Sequence, residues 1–199
     1  MGPILIAGGR VIDPANGREA VADVLVSNGL VRAVADDIPV GSVGEHGRVI
    51  DASGLVVAPG FIDIHTHLRE PGYEYKETIA TGAAAAAKGG FTTICAMPNT
   101  DPPVDNEAVV DLVMRRAADA PVRVRAIGCV SRGRAGRELA DMEELASAGV
   151  VAFSDDGDPV HDAALMRLAL TYSRDLGAPI SNHCQDHGSV QPASWPRAG

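Results

Sequence analysis

Apolar and polar positions follow two different rhythms along the chain, and the change falls near Pro59-Gly60. Before it, short apolar runs are separated by turn residues. "ILIAGGRVID" leads through "PANG" into "ADVLVSNGLVRAVA". Asn28-Gly29 inside the last run is a two-residue hairpin signal, because a type I′ turn needs positive φ at both positions. "RVIDASGLVVAPG" predicts a further strand pair about Ser53-Gly54. Residues 1–58 therefore predict a small β segment.

From Pro59 onward, strand-like apolar runs alternate with helical stretches. "FIDIHTH" predicts a strand, and "ETIATGAAAAAKGG" a helix closed by Gly89 and Gly90. "FTTICAM" is a second strand. "DNEAVVDLVMRRAAD" is a helix with Asp105 as its N-cap and Val109, Leu112 and Val113 on one face. "VRVRAIG" is a third strand, and "ELADMEELASAG" a helix with Leu139, Met142 and Leu145 in register. "VVAFSD" is a fourth strand. "HDAALMRLALTYSRDLG" is a helix with Leu165, Leu168, Tyr172 and Leu176 in register, and "PISNHC" is a fifth strand. Repeated strand–helix units of this length predict an α/β fold with parallel strands and crossover helices. Both an open doubly wound sheet and a (β/α)8 barrel fit that pattern. Residues 59–188 form this second region. Residues 189–199, within "GSVQPASWPRAG", have neither period and predict an irregular tail.

Composition narrows the function classes. The chain has 46% hydrophobic and 22% charged residues and a formal net charge of −9. That charge repels phosphate backbones and argues against a nucleic-acid partner. No apolar run reaches the roughly 18–20 residues of a membrane span, and no charged-then-apolar leader opens the chain. A cytoplasmic protein without a membrane partner is expected. Cys95, Cys129 and Cys184 form no CxxC pair, so they predict neither a disulfide framework nor a zinc finger.

The candidate chemistry lies at strand ends. Alternation puts Phe61, Asp63, His65 and His67 on one face of the first strand and sends Ile62 and Ile64 towards packing helices. His65 and His67 then stand at the C-terminal end, where parallel α/β folds build their sites. Two imidazoles about 7 Å apart along a strand can converge on one zinc-like ion; they serve equally for ordinary hydrogen bonds. The fourth strand ends in Asp155 and Asp156, the fifth in His183 and the second in Asn99. "DDG" alone is also a turn with an Asx hydrogen bond, and a single His183 is also a satisfied core histidine. Imidazoles and carboxylates arriving together at one sheet end favour metal binding. Asp63 fits either as a partner orienting a ligand histidine or as a strand-end bond to backbone.

"GFIDIHTHLREPG", "KGGFTTICAMPNTDPP", "VAFSDDG" and "NHC", in this order, resemble the dihydroorotases of the amidohydrolase superfamily. The resemblance covers about residues 1–188 and is nearest to the class without a carboxylated-lysine bridge. "HLREPG" followed by "MPNT" is its most specific part. Hydantoinases and dihydropyrimidinases share His-x-His without usually sharing this continuation, and allantoinases are nearer rivals.

The resemblance implies an incomplete (β/α)8 barrel of about five of eight strands. It places the N-terminal part of a small β-sandwich domain before that barrel. It implies zinc, two ions per complete site, with His65 and His67 on one ion, Asp156 bridging and His183 on the second. Arg69 and Asn99 would grip the substrate carboxylate. The implied reaction is the reversible conversion of N-carbamoyl-L-aspartate to L-dihydroorotate in de novo pyrimidine biosynthesis. Zinc-activated water would open the cyclic amide. Rival readings are an allantoinase or dihydropyrimidinase type of hydrolase, or a non-catalytic scaffold for aspartate transcarbamoylase. The partners implied are the small-molecule substrate, a second copy of the chain, or that transcarbamoylase. The family also uses a further histidine ligand on a sixth strand and a catalytic aspartate on an eighth. Neither has a counterpart in these 199 residues, so no catalytic residue is assignable. The expectation is a truncated or frameshifted reading frame whose product is inactive alone.

Overall fold

The structure, a computed structural model, describes residues 2–185. The tail predicted at 189–199 lies outside the described residues. The chain divides after Pro59 into two compact units.

The first unit is a five-stranded sheet. It comprises β1 (Ile4–Asp13), β2 (Arg18–Ser27), β3 (Leu30–Ala35), β4 (Arg48–Asp51) and β5 (Val56–Val57). The order is β3-β2-β1-β4, and β5 also pairs with β1. β2 and β3 form the predicted hairpin: Ser27 stands opposite Leu30, and Asn28 and Gly29 take φ of 53° and 74°. Both signs are those of a type I′ turn, whose twist matches the strands it joins.

The strand pair expected about Ser53-Gly54 is different. β4 and β5 do not pair with each other; both run parallel to β1, one after the other along the same edge. A turn rather than a hairpin joins them. Asp51 Oδ1 accepts the Ser53 amide at 2.9 Å, and the Leu55 amide donates to the Ala52 carbonyl at 2.8 Å. The β1 edge bulges between Ile6 and Gly9. There buried Asp23 accepts from the Gly8 amide at 2.8 Å and the Ile38 amide at 2.9 Å. One carboxylate thus ties a bulge to a distant loop. Leu5, Ile38 and Val43 make one small core, and Val11, Ala22 and Val24 another.

The second unit holds three parallel strands, β6 (Phe61–Thr66), β7 (Phe91–Ala96) and β8 (Arg123–Ala126), in sequence order. The predicted fourth and fifth strands continue this order as single parallel bridges, Gly128 to Phe153 and Phe153 to Ile180. They stay short for local reasons. Pro179 has no N–H to donate, and past Ser154 the chain turns at once, with the Asp158 amide on the Asp155 carbonyl at 2.9 Å.

Four helices follow the expected spacing: α1 (Ile79–Lys88), α2 (Glu107–Arg116), α3 (Met142–Ser147) and α4 (Ala163–Leu176). α1 starts in a capping box between Thr78 and Thr81. The N-cap of α2 is Asn106, not Asp105. Asn106 accepts from the Val109 amide, while the Asp105 carboxylate is drawn away to the Gly133 amide at 2.8 Å. α3 begins later than its periodicity suggests. Glu138 to Ala140 are committed to backbone bonds with Val130 and Arg132, which leaves Leu139 off the helix though still packed on the core. On α4, Leu165 and Leu176 meet the core, whereas Leu168 and Tyr172 are exposed.

Ile79, Ile94, Val110, Leu145 and Phe153 centre the main core between sheet and helices. A smaller cluster of Cys95, Met97 and Ile127 groups with Ala152. Ile62 and Ile64 do not reach a helix as expected. They are 62% and 73% exposed, because β6 is an edge strand and α1 packs against β7 instead.

Asp155, 1% exposed, fastens the fourth segment to the third. Its Oδ1 accepts from the amides of Val130 at 2.8 Å and Ser131 at 3.0 Å, and its Oδ2 from the Ser131 hydroxyl. Removing the carboxylate strands these donors in a dry site. Asp155→Ala is therefore expected to lower unfolding free energy by about 2–4 kcal/mol. Urea denaturation measures this, and an unchanged midpoint would contradict the anchoring role.

Candidate metal centre

The centre is assembled at the C-terminal end of the parallel sheet of the second unit. Thr66 is the hinge of the first contribution. Its hydroxyl donates to the Cys95 carbonyl at 2.8 Å, and its carbonyl accepts the Met97 amide at 2.8 Å. With Thr66 bound to the neighbouring strand, His65 and His67 project together to the other side. Their rings meet edge to face, centroids 5.2 Å apart. Asp63 spends Oδ1 on the His65 amide at 3.0 Å, the backbone role of the two that its position allowed.

Asp156 comes from the turn after the fourth segment. Its amide donates to Ser154 Oγ at 3.0 Å, and that hydroxyl donates to the Ser181 carbonyl at 2.7 Å. The two strand ends are therefore cross-linked beneath the carboxylate. Asp155 and Asp156, adjacent in the chain, face opposite tasks. Burial pushes the Asp155 carboxyl above its ordinary range, while hydrogen bonds from Ser131 and Val130 pull it back. Asp156 turns towards the histidines.

The Asp156 side chain is 7% exposed and faces three imidazoles. Oδ1 is 3.3 Å from His65 Nε2 and 3.5 Å from His183 Nδ1; Oδ2 is 3.5 Å from His67 Nε2. These separations exceed the roughly 2.7–2.9 Å of a good charge-assisted hydrogen bond. They match the edges of a ligand shell: donors about 2.0–2.1 Å from one tetrahedral ion stand about 3.3–3.4 Å apart. One donor atom each from His65, His67 and Asp156 lies within 4.8 Å of the others. Imidazole and carboxylate donors on a largely buried carboxylate fit a divalent metal. His183 closes the far side, its Nδ1 turned to Asp156 and its Nε2 2.9 Å from Gln185 Oε1.

Arg69 and Asn99 reach the same place from two loops. Asn99, buried, sits between the ligands, its Oδ1 3.1 Å from His67 Nδ1 and its Nδ2 3.2 Å from Asp156 Oδ2. Arg69 Nη1 donates to the Asn99 carbonyl at 3.4 Å. The structure thus gathers His65, His67, His183 and Asn99 around the Asp156 carboxylate, with Arg69 on the backbone of Asn99.

Two supporting residues escaped the sequence reading. Arg134 Nη2 donates to the Asp156 carbonyl and to Asp158 Oδ2, both at 2.7 Å, clamping the turn that carries Asp156. A Cβ on Gly157, at φ +90°, would stand 3.1 Å from that Nη2. The glycine-flanked "RGRAG" was the available signal. Glu70 is the second. It accepts the Ile79 amide at the start of α1 at 2.8 Å and pairs with Arg116 on α2, so the residue next to Arg69 is moored to two helices. Its place inside "HLREPG" gave no sign of that, because Arg116 lies 46 residues away.

A family model described as dihydro-orotase-like matches residues 54–194. A dihydroorotase of Syntrophus aciditrophicus (strain SB) is 50% identical over 92% of this chain and 43% of its own length. A dihydroorotase of Anaeromyxobacter dehalogenans (strain 2CP-C) is 52% identical over 92% of this chain and 42% of its own. The chain thus spans less than half the length of these relatives. Among solved structures, an L-hydantoinase (dihydropyrimidinase) from Arthrobacter aurescens superposes with a TM-score of 0.76 at 24% identity, over 90% of this chain and 40% of that one. That likeness is one of fold. With the family model spanning most of the second unit and extending over the strand ends that carry the histidines and Asp156, the chain belongs to the dihydroorotase-like family.

Proposed function

We propose that these residues form the metal-holding part of a dihydroorotase, which interconverts N-carbamoyl-L-aspartate and L-dihydroorotate in pyrimidine biosynthesis. The observation that carries the reading is Asp156: one shielded carboxylate with three imidazole nitrogens 3.3–3.5 Å away. His65 and His67 would hold one zinc ion and His183 a second, with Asp156 a ligand shared by both. When bound, zinc supplies Lewis-acid polarisation of the amide carbonyl and makes water a usable nucleophile near neutral pH. The chain's own residues do the rest of what is visible. Arg69 offers a planar fork to the substrate carboxylate, and Asn99 offers an amide N–H beside it. The rigid mooring of Glu70 keeps the Arg69 loop in place without substrate.

The relatives support this substrate: the two dihydroorotases compared above are 50% and 52% identical, whereas the hydantoinase structure stands at 24%. The same reading takes the five parallel segments as part of a (β/α)8 barrel and residues 1–58 as part of a β-sandwich domain. The exposed β6 residues Phe61, Ile62 and Ile64 support it, since a barrel covers both faces of every strand. A cytoplasmic location suits the role; among the described residues no helix is long and apolar enough to cross a membrane. Association with a second copy or with aspartate transcarbamoylase belongs to this reading on the family resemblance.

Two outcomes test it. Zinc should raise the melting temperature of the chain, and a chelator should reverse the rise, because a ligand that binds only the folded state stabilises it. His65→Ala and Asp156→Asn should lose that rise; a rise retained in both would place the metal elsewhere. In assays with dihydroorotate, allantoin and dihydrouracil, the enzyme carrying this site should favour dihydroorotate. Arg69→Lys should weaken dihydroorotate binding by about 1–3 kcal/mol, the scale of a charged hydrogen bond. Preference for allantoin would overturn the substrate assignment.

A further inference from the structure

Hydrogen-bond polarity around Asn99 follows from its place between an imidazole and a carboxylate, and it selects a tautomer for a neutral His67. Asp156 Oδ2 lies 3.2 Å from one end of the Asn99 amide. An ionised carboxylate only accepts, so that end is the NH₂ group. The other end, 3.1 Å from His67 Nδ1, is then the carbonyl, which also only accepts. Nδ1 must therefore carry the hydrogen. In a neutral imidazole this leaves the lone pair on Nε2, and Nε2 is the nitrogen that faces Asp156 Oδ2 at 3.5 Å. Two acceptors then point at each other across a gap that a cation fills.

We infer that Asn99 is a positioning residue that holds His67 in its Nδ1–H tautomer, ready to ligate through Nε2, and orients Asp156 with the same amide. The inference rests on the metal reading above and adds to it a task for Asn99 distinct from gripping substrate. The two tasks are compatible. The NH₂ group has two hydrogens, and Asp156 takes one, so the second is left for a substrate carboxylate. The amide is also well anchored. The Thr100 amide bonds the Pro98 carbonyl at 2.9 Å, and the Asp101 amide bonds the Pro71 carbonyl at 3.0 Å. The Thr100 hydroxyl bonds the Pro102 carbonyl at 2.8 Å. The Asn99 carbonyl accepts from Arg69, so the proposed carboxylate anchor and the tautomer lock share one peptide.

The test uses the ¹⁵N-labelled 199-residue chain, metal-free, at about pH 8.5, where ordinary imidazoles are neutral. Two-bond ¹H–¹⁵N correlation spectra identify the tautomer, with the His67 signals assigned by their loss in His67→Gln. The wild type should show Nδ1–H. Asn99→Leu should shift His67 towards Nε2–H. Zinc affinity, read by competition with a chromophoric chelator, should fall about 10–100-fold in Asn99→Leu, the usual effect of removing a partner that orients a ligand. Nε2–H in the wild type, or an unchanged tautomer in Asn99→Leu, overturns the inference. A wild type that shows Nδ1–H yet binds no zinc supports the tautomer lock and removes the metal reading instead.

Discussion

Burying a carboxylate is expensive unless positive charge or hydrogen donors answer it, and the second unit is organised around meeting that demand twice in successive residues. Asp155 is answered by backbone and hydroxyl donors of Val130 and Ser131. Among the described residues, Asp156 is answered by the Asn99 side-chain amide and otherwise looks at imidazole nitrogens too distant for strong hydrogen bonds. The first arrangement is complete in itself. The second leaves an opening that a cation would answer. That asymmetry separates the aspartate that holds the fold from the aspartate that serves the site.

The sheet makes the asymmetry possible. Alternation along β6 sets His65 and His67 on one side by bonding Thr66 to β7. The short fourth segment sends successive aspartates in different directions, and the Ser154 hydroxyl joins its end to that of the fifth. Arg134 and Gly157 then hold the turn. Each ligand is thus placed by backbone bonds between strands, which a parallel sheet forms wherever the segments are adjacent. The loops that supply Asn99 and Arg69 are stitched down by bonds of their own.

Much of this was legible in the sequence because strand and helix periods are local properties. The hairpin at Asn28-Gly29, the order of strands and helices, and the placing of His65, His67, the Asp155-Asp156 pair and His183 at strand ends all follow from spacing. What was not legible depended on partners far along the chain. Asp105 read as a cap because nothing local reveals Gly133 competing for its carboxylate. Leu139 read as helical because its bridge to Ser131 is tertiary. β4 and β5 read as a pair because the bulged edge of β1 that accepts both lies about forty residues upstream. The choice between Asp155 and Asp156 needed a resemblance in the sequence; in the structure it needs only their hydrogen bonds.

Coupling between recognition and metal binding follows from the same bookkeeping of donors and acceptors. Arg69 holds the carbonyl of Asn99, and the side chain of Asn99 links His67 to Asp156. A carboxylate that drew the Arg69 guanidinium towards itself would therefore pull on the residue whose side chain links His67 to Asp156. Conversely, a cation between His67 and Asp156 removes the acceptor–acceptor opposition and steadies the amide whose spare N–H faces substrate. Substrate and metal would then alter each other's binding by the same factor, because coupling through one shared arrangement is reciprocal. The shared arrangement here is small: one amide group with two ends whose orientation is dictated by a neighbouring carboxylate.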